Sequence, residues 1–516
     1  MSMDFPYIGS LTVYLTAGLI LVYYANQVSR AWRKNPTTLP YPPGPRPLPI
    51  IGNIRQIPTT FPWLTYREWG RQYGPMIHFR AYNDHLIIVN SAKIADDLFE
   101  KRSRIYSDRP DYPMLNLMGW EFNFAFMRYG DNWRQHRRLM HQFLRLAAVP
   151  AYHPVQVKKS HDLLRIFLSH PKDFYVHLQT YAAAIIMATV YGYDIAPVGD
   201  PFVSLAQDAM HRMGQGTIPA AIPVNMFPWL RHFPGWLPGF GFQQFCADTR
   251  LITAKMRDEP YEFAKKQLIE EHDSTSMVAK MIESGKTEVQ LQKDVAGLAY
   301  GAGADTTFAT MASFVLLMAT HPEVQKKAQA EIDAVLGSHR LPEFSDKAQL
   351  PYVEALCREV LRWMPLVPLS PSRKTTEDDI YEGYFIPKGT SIVPNLWAMC
   401  QDEAIYPEPE KFKPERFLTE DGRVTTDPLL NPLAFGHGRR SCVGRHLAED
   451  SVWIAMASLL TVYNFGKAKD ASGNEIEIPF QFSDGLIIHS EPFECSITPR
   501  SEIAIALIEG TAEKNG

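Results

Sequence analysis

The chain has 516 residues, of which 46% are hydrophobic and 21% are charged, and its formal net charge is −4. This composition is typical of a folded protein with a large core and argues against intrinsic disorder. The near-neutral charge gives no general attraction to nucleic acid, so we expect no nucleic-acid partner. The five cysteines form no CxxC pair, which disfavours both a disulfide framework and a structural zinc site.

The N-terminal segment has the composition of a membrane span. Between Asp4 and Arg30 there is no charged side chain, and residues 8–25 are almost all apolar or aromatic. At about 1.5 Å per residue, a helix of this length just spans the roughly 30 Å core of a bilayer. A cleaved signal peptide is the alternative, but no basic segment precedes the apolar stretch and no small-residue cleavage site follows it. The sequence therefore predicts an N-terminal transmembrane helix within residues 1–29.

A basic and proline-rich segment follows. Arg30, Arg33 and Lys34 come directly after the predicted span, and the positive-inside rule then places the rest of the chain in the cytosol, which in a eukaryotic cell indicates the endoplasmic reticulum membrane. Residues 39–49 read LPYPPGPRPLP, and their fixed φ angles predict a stiff, extended spacer. We therefore interpret residues 30–53 as a hinge and residues 54–516 as one large folded domain.

The elements predicted for this domain are mostly helical. Residues 83–90 predict a short strand, and residues 91–98 the start of a helix. Helical patterns dominate from about residue 130, including a long apolar helix at 288–320 and a helix that begins at Pro322 and ends at Gly337. Strand-like segments return at 380–393 and in the last fifty residues. The expected fold is mainly α with small β-sheets.

The most specific motif is the run FGHGRRSCVGR at residues 435–445. It fits the pattern FxxGxRxCxG, which arises by chance in about one in ten thousand chains of this length. The pattern positions are Phe435, Gly438, Arg440, Cys442 and Gly444. A cysteine that is held as a thiolate needs backbone N–H groups aimed at its sulfur, and the two glycines remove side chains that would block them. With this motif, the chain resembles the cytochromes P-450, which are heme-thiolate monooxygenases.

The resemblance implies roles for the residues of this run. Cys442 would be the axial ligand of the iron of heme b, and Arg440 would pair with a heme propionate. Phe435 would shield the sulfur from water and so preserve the electron donation that favours O–O cleavage. The alternative interpretation is an ordinary glycine-rich turn before a helix.

A second motif lies inside the long apolar helix, where residues 301–306 read GAGADT. Glycines at 301 and 303 each cost about 1 kcal/mol relative to alanine in a helix interior, and room for dioxygen beside a flat cofactor would explain them. The resemblance implies that Asp305 relays protons and that Thr306 holds the reacting oxygen by a hydrogen bond. The alternative is an Asp-Thr pair that bonds back to its own helix.

Two further motifs are weak alone and gain meaning from their position. Glu359 and Arg362 match ExxR, as do residues 68–71 and 420–423, but only the first pair lies about eighty residues before the cysteine. With Arg416 of the run PERF, the resemblance implies a buried structural triad, in which loss of one partner costs about 3–5 kcal/mol.

Residues near the predicted cofactor edge complete the site. Trp133 and Arg137 match WxxxR, as does the pair at 63–67, but the basic helix around Trp133 suits the propionate-binding helix of the family. Arg373 is the candidate for the other propionate. A basic patch for an acidic electron donor would consist of Arg134, Arg138, His141, Arg439 and Arg445.

The resemblance covers nearly the whole chain and implies the triangular, mainly helical cytochrome P-450 fold, with residues 54–516 as the catalytic domain. The expected reaction inserts one oxygen atom from O2 into a hydrophobic substrate, with electrons from NADPH through a flavin-containing NADPH-cytochrome reductase. The chain is most similar in character to basidiomycete fungal members, which suggests a terpenoid or another fungal secondary metabolite. Residues 369–371, LSP, depart from the usual pocket segment and leave the substrate open.

Two rival functions use the same fold. A heme-thiolate isomerase or dehydratase consumes peroxides without a reductase, and it has no need of proton delivery by Asp305 and Thr306. A heme carrier or receptor without catalysis is disfavoured by the complete set of thiolate, proton-relay and donor-patch residues.

Overall fold

The computed structural model describes residues 37–197, 199–216, 223–233, 235–236, 240–271, 275–337, 339–430 and 433–513, together with Gly18, Val22 and Asn35. Apart from Gly18 and Val22, the predicted transmembrane helix lies outside these residues and stays a prediction. Within the described part, one helix is long and apolar enough to cross a bilayer, Val289–Thr320, but 72% of its apolar window is buried inside the protein. That helix belongs to the core.

Helices form most of the described structure. In chain order they are α1 (Pro62–Tyr73), α2 (Ala92–Asp96), α3 (Pro113–Leu117), α4 (Asp131–Leu144), α5 (His153–Ser169), α6 (Phe174–Tyr191), α7 (Pro201–Gly216), α8 (Pro223–Met226), α9 (Phe242–Glu271), α10 (Met277–Ser284), α11 (Val289–Thr320), α12 (Pro322–Leu336), α13 (Pro351–Trp363), α14 (Leu396–Cys400), α15 (Arg445–Val462) and α16 (Glu502–Glu513). A π-helical turn, Asp97–Lys101, continues α2.

The strands form three small sheets. Their bounds are β1 (Met76–Ala81), β2 (Asp84–Val89), β3 (Arg373–Lys374), β4 (Asp379–Tyr381), β5 (Tyr384–Ile386), β6 (Ser391–Pro394), β7 (Tyr463–Lys467) and β8 (Cys495–Pro499). The largest sheet has the order β1-β2-β6-β3, in which β6 runs parallel to β2 and β3 antiparallel to β6. The other two are the antiparallel pairs β4-β5 and β7-β8.

Local signals in the sequence explain where several elements begin and end. The side chain of Ser91 accepts a hydrogen bond from the backbone N–H of Ile94 and so caps α2. Pro322 occupies the first turn of α12, and Gly337, with φ of +63°, ends it. The predicted bounds of β2, α11 and α12 are confirmed to within one or two residues.

The last helix, α16, was not predicted. Its sequence, EIAIALIEGTAE, contains an unbroken apolar run at residues 503–508, which is also typical of a buried strand. In the structure Ala504, Ile508 and Thr511 are buried, and this helical spacing places them on one face. Packing against the body therefore overrides the local strand-like pattern.

The long helix α11 runs through the centre of the protein and joins two hydrophobic clusters. Its first half, including Val295 and Tyr300, packs in the cluster formed with α4, α6, α7 and α9. Its second half, including Met311 and Val315, packs with α5, α12, α13 and α15. Between these halves, residues 302–306 are partly exposed although both flanks are buried. The core helix therefore opens onto a cavity at the GAGADT motif.

The proline-rich segment is attached to the largest sheet from residue 40 onward. The backbone N–H of His78 donates to the carbonyl of Pro43 at 2.9 Å, and the ring of Tyr41 stacks on that of His78 at 5.0 Å. A Cβ on Gly44 would lie 1.9 Å from the carbonyl oxygen of His78, so only glycine allows this approach. This part of the predicted hinge therefore packs as an edge of the folded body.

Candidate active site

The cysteine loop leads into helix α15 and presents Cys442 to the cavity. Cys442 is the one exposed side chain among the five cysteines, and the surface that it exposes lines the cavity. Its backbone N–H donates to the carbonyl of Phe435 at 2.8 Å, which closes the loop. Burial raises the pKa of the Cys442 thiol, while the Gly444 N–H and the Arg137 guanidinium oppose that shift. The start of α15 also favours a thiolate here.

Glycine is required at the two loop positions for different physical reasons. Gly444 lies beside the sulfur, where an added Cβ would be 3.9 Å from Sγ of Cys442. Gly438 has φ of +60°, and a Cβ there would lie 2.1 Å from the carbonyl oxygen of Phe99. Its N–H donates to the carboxylate of Glu100, so Gly438 docks the loop onto the turn after α2. The predicted approach to sulfur therefore describes Gly444 and not Gly438.

The glycines of α11 also have a packing reason. A Cβ on Gly303 would lie 2.8 Å from Cδ1 of Ile186 on α6, and a Cβ on Gly301 would lie 3.0 Å from Sδ of Met210 on α7. Gly303 lines the cavity as well. Close packing of the helices around α11, and not only the expected room for dioxygen, accounts for these two positions.

Thr306 and Asp305 face different surroundings. Thr306 lines the cavity and its hydroxyl donates to the carbonyl of Ala302 at 2.9 Å, as expected for a threonine that bonds back to its helix. Asp305 is not among the described lining residues. Its Oδ1 atom lies 2.8 Å from Nε2 of His489.

The cavity has an apolar part around these residues. Its apolar lining includes Phe124, Phe126, Ile186, Met210, Met213, Leu298, Leu366, Val367, Leu486 and Ile487. A polar exception is Asn123, whose amide is 3% exposed and whose Nδ2 atom lies 3.5 Å from the thioether of Met213.

The predicted propionate residues Trp133, Arg137 and Arg440 lie together at the cavity wall. The Arg440 guanidinium lies 4.3 Å from the centre of the Trp133 ring and donates to three backbone carbonyls, those of Ser107, Phe124 and Met127. Arg137 donates to the carbonyl of Ser441 at 2.8 Å. Both arginines therefore also hold the backbone on either side of the cavity.

Arg373 has donors that the protein leaves unused. It is 2% exposed, its Nη2 donates to the carbonyl of His437 at 2.6 Å, and its Nε and Nη1 have no hydrogen-bond partner among the described residues. Burial and the charges of neighbouring arginines lower the pKa of Arg373 to about 9, and burial and the same neighbours lower the pKa of Arg440 to about 8. Buried donors of this kind require an acceptor.

Arg109 is a fourth arginine of this cluster, and it was missed at the level of sequence. It is 3% exposed, lines the cavity, and donates to the carbonyls of Ala125 and Ser372 at 2.8 and 2.7 Å. Burial lowers the pKa of Arg109 to about 10. The signal was the run YSDRP at residues 106–110, an arginine between an aspartate and a proline, but nothing local links it to residues 371–372.

These residues fit heme b. These four arginines, two of them buried and two partly buried, bond only to carbonyl and hydroxyl oxygens in the described structure, so a ligand that carries carboxylates would balance their charge. Cys442 supplies a sulfur at the wall of the same cavity. A planar group with two carboxylates and an iron atom matches both features.

The predicted triad is assembled as a buried ion pair with a second arginine. Arg362 donates to both carboxylate oxygens of Glu359 at 2.6 and 2.8 Å, and Nε of Arg416 lies 3.1 Å from Oε1 of the same carboxylate. Glu359 and Arg362 are 0% and 1% exposed. Arg362 also donates to the carbonyl of Cys400. The triad therefore fastens α13 to the segment that precedes the cysteine loop.

Comparisons with known proteins identify the class. The family model described as Cytochrome P450 matches residues 42–496, and the chain belongs to this family. It is 40% identical over 513 residues to the cytochrome P450 monooxygenase COX1 of Coprinopsis cinerea, which covers 96% of this chain and 99% of the relative. A cytochrome P450 monooxygenase of Armillaria gallica is 38% identical over 92% of this chain and 94% of its own length. The cytochrome P450 monooxygenase claR of Ampulloclitocybe clavipes is 40% identical over 90% of this chain and 88% of its own length.

Membership of the family settles the cofactor and the enzyme class. Proteins of this family bind heme b, and the chain is a cytochrome P450 monooxygenase. Such enzymes use O2, a hydrophobic substrate and a redox partner. When bound, the heme supplies the activation of O2 that the amino acids cannot provide.

The triad makes a direct prediction about stability. Arg362→Leu should lower the free energy of unfolding by about 3–5 kcal/mol, because it leaves the Glu359 carboxylate buried without its main partner. Arg358→Leu on the same helix is the control: Arg358 bonds to Glu354 at 3.1 Å and to the carbonyl of Thr425 at 3.0 Å, but its ion pair is about a fifth exposed, so we expect a loss of about 1 kcal/mol. Denaturant unfolding followed by circular dichroism measures both, and equal losses would contradict the assignment.

Proposed function

We propose that the chain is a membrane-anchored monooxygenase that inserts one oxygen atom from O2 into a terpenoid or another hydrophobic fungal secondary metabolite, with electrons from NADPH through a flavin reductase. The observation that carries this proposal is the joint placement of Cys442, Thr306 and an apolar wall around one cavity. A peroxide isomerase or dehydratase without a reductase is the alternative, and the pair of Asp305 and Thr306 favours the monooxygenase.

In this proposal, different residues bind the cofactor and deliver protons. Cys442 binds the iron, and the Gly444 N–H stabilises negative charge on its sulfur. Phe435 shields the sulfur, and Trp133, Arg137, Arg373 and Arg440, joined by Arg109, hold the carboxylates of the cofactor. Asp305 delivers protons, and Thr306 offers a hydroxyl at the cavity wall.

The character of the substrate follows from the cavity wall. Apolar side chains would bind a hydrocarbon skeleton through the hydrophobic effect. The buried amide of Asn123, with only a thioether near its Nδ2 atom, would donate a hydrogen bond to a single oxygen on that skeleton. The fungal origin of the relatives supports a fungal metabolite.

An exposed basic face on α4 supports the flavin-containing NADPH-cytochrome reductase as electron donor. Arg134, Arg138 and His141 are exposed and lie at helical spacing. Three members of the predicted patch are partly engaged within the protein, since Arg134 pairs with Asp131, Arg439 donates to the hydroxyl of Tyr129, and Arg445 donates to Glu449. The face therefore centres on α4, from which Arg137 reaches the cysteine loop.

An exposed aromatic surface supports the membrane location. Trp229, Phe233 and Trp236 are 57%, 40% and 80% exposed, and such a patch is costly in water. The ring of Tyr82 contacts Phe227 at 5.2 Å, which joins this surface to the largest sheet. With residues 1–29 as the anchor, residues 30–53 as the hinge and residues 54–516 as the catalytic domain, this surface would rest on the cytosolic side of the endoplasmic reticulum membrane.

The central test is spectroscopic. The parent protein, reduced under carbon monoxide, should show the strongly red-shifted Soret band of thiolate-bound heme, and Cys442→Ala should lose it because the iron loses its sulfur ligand. Cys495→Ala, at a partly buried position outside the cavity, is the control and should keep the band. Folded parent protein without heme would overturn the proposal.

Turnover separates the monooxygenase from its alternative. With NADPH and reductase, a panel of terpene hydrocarbons and terpene alcohols should yield oxygenated products, each with one atom from labelled O2. Conversion of organic hydroperoxides alone, with no NADPH-dependent product in the panel, would favour the isomerase or dehydratase.

The basic face predicts a charge-dependent association with the reductase. Arg138→Glu should raise the concentration of reductase needed for half-maximal reduction by about threefold to tenfold at low salt, because like charges slow the encounter. Lys286→Glu, an exposed site before α11, is the control and should change it little. An equal response of both variants, or none in either, would contradict a docking face on α4.

Membrane contact predicts a two-part attachment. Deletion of residues 1–29 should leave part of the protein bound to phospholipid vesicles, and W229S/W236S in the shortened chain should release it, because the exposed aromatic area is lost. Leu251→Ser, 66% exposed on α9, is the control and should not release it. Full-length protein that alkaline carbonate extracts from microsomes would contradict the anchor.

A further inference from the structure

The carboxylate of Asp305 is held by a residue far away in the chain. Oδ1 of Asp305 lies 2.8 Å from Nε2 of His489. An ionised carboxylate can only accept a hydrogen bond, so His489 donates through Nε2. Asp305 is 35% and His489 25% exposed in their side chains, and a pair this exposed contributes a small but measurable part of the stability. What the contact supplies is geometry.

His489 is itself held in place at both its backbone and its ring. Its backbone N–H donates to the hydroxyl of Ser483, and its carbonyl accepts from the backbone N–H of Ser483, both at 2.9 Å. Its ring stacks on Phe308, with ring centres 5.7 Å apart and planes 28° apart. Phe308 lies three residues after Asp305 and therefore on the same face of α11. The ring is thus oriented by the helix whose carboxylate it binds.

The orientation of Asp305 matters because adjacent helical side chains diverge. Thr306 faces the cavity, whereas Asp305 faces His489, so a proton must travel from one face of α11 to the other. A carboxylate with one oxygen bound to His489 keeps its second oxygen in a fixed place, where it can take a proton from solvent and pass it toward the cavity. A freely rotating carboxylate would spend less time in a productive orientation.

We propose that His489 is a positioning residue that holds the Asp305 carboxylate for proton delivery. The proposal rests on the monooxygenase function proposed above. In each cycle Asp305 gains a proton from water and releases it toward the cavity, so it returns to the ionised form, and His489 keeps its own proton throughout. A donor at the Nε2 position is therefore required, but an imidazole is not.

The experiment uses the full-length, heme-loaded protein with reductase and no added substrate, and it follows NADPH consumption per heme. Compared are the parent, H489L, H489Q, D305N and the double variant D305N/H489L. His153→Leu is the matched control, because His153 is also 25% exposed and lies 3.1 Å from a carboxylate, that of Asp450. Glutamine places an amide donor where Nε2 of the histidine was, so H489Q restores the hydrogen bond without the imidazole.

His489→Leu should slow NADPH consumption by about threefold or more, and D305N at least as much, because both disturb proton delivery. H489Q should recover most of the parent rate. The double variant should be no slower than D305N alone, since both changes act through one carboxylate. H153L should match the parent.

A second measurement does not depend on turnover. In thermal unfolding of the resting protein, the losses of melting temperature from D305N and H489L should not add in D305N/H489L. Those from D305N and H153L should add in D305N/H153L. Additive losses would show that the Asp305–His489 contact is absent in solution and would overturn the proposal.

The remaining outcomes are also decisive. A rate per heme that is unchanged in H489L, with only the melting temperature lowered, would assign His489 a purely structural role. A slow H489Q would mean that the imidazole itself carries the proton, which also contradicts positioning. Failure of the parent to bind carbon monoxide as a thiolate-bound heme, or to consume NADPH faster than C442A, would instead overturn the proposed function.

Discussion

Positive charge that no carboxylate of the described structure bonds directly is the constraint on which the rest of the site depends. Arg109, Arg137, Arg373 and Arg440 are buried or partly buried, and their bonds go to carbonyl and hydroxyl oxygens. Two donors of Arg373 have no partner in the described structure. Desolvation of such charges is expensive unless a counter-charge is present. In the proposed function, the carboxylates of heme b would supply this counter-charge and would stabilise the loops that these arginines hold.

Around this charged edge, buried contacts hold two elements at the cavity: the loop that carries Cys442 and the accessible stretch of α11. The Glu359 triad and the contact of Gly438 with Phe99 hold the segment that leads to Cys442. On the other element, α11 is packed by two clusters, and between residues 294 and 319 it is accessible only at residues 302–306, the stretch at the cavity. The reactive groups thus sit on segments whose ends are anchored in core, which keeps their positions well defined.

Much of the site was predictable because its motifs are local. The spacing within 435–445 and within α13 is enough to predict a cysteine loop that carries Cys442 and a helix face shared by Glu359 and Arg362, since loop and helix geometry fix neighbours along the chain. Arg109 and His489 were missed because their partners lie 263 and 184 positions away, and no local pattern encodes such contacts. The reason for Gly438 was also misjudged, because Phe99 belongs to a distant turn.

The segment between Ser483 and His489 performs two tasks within seven residues. Leu486 and Ile487 belong to the apolar wall of the cavity, while His489 grips Asp305. A change of substrate requires substitutions in the cavity wall. Substitutions in this short segment also affect the contact between His489 and Asp305. With the proposed role of His489, substrate specificity and the coupling of reduction to product formation would change together, and variants with a broader substrate range are expected to consume reductant without product until a further change restores the orientation of Asp305.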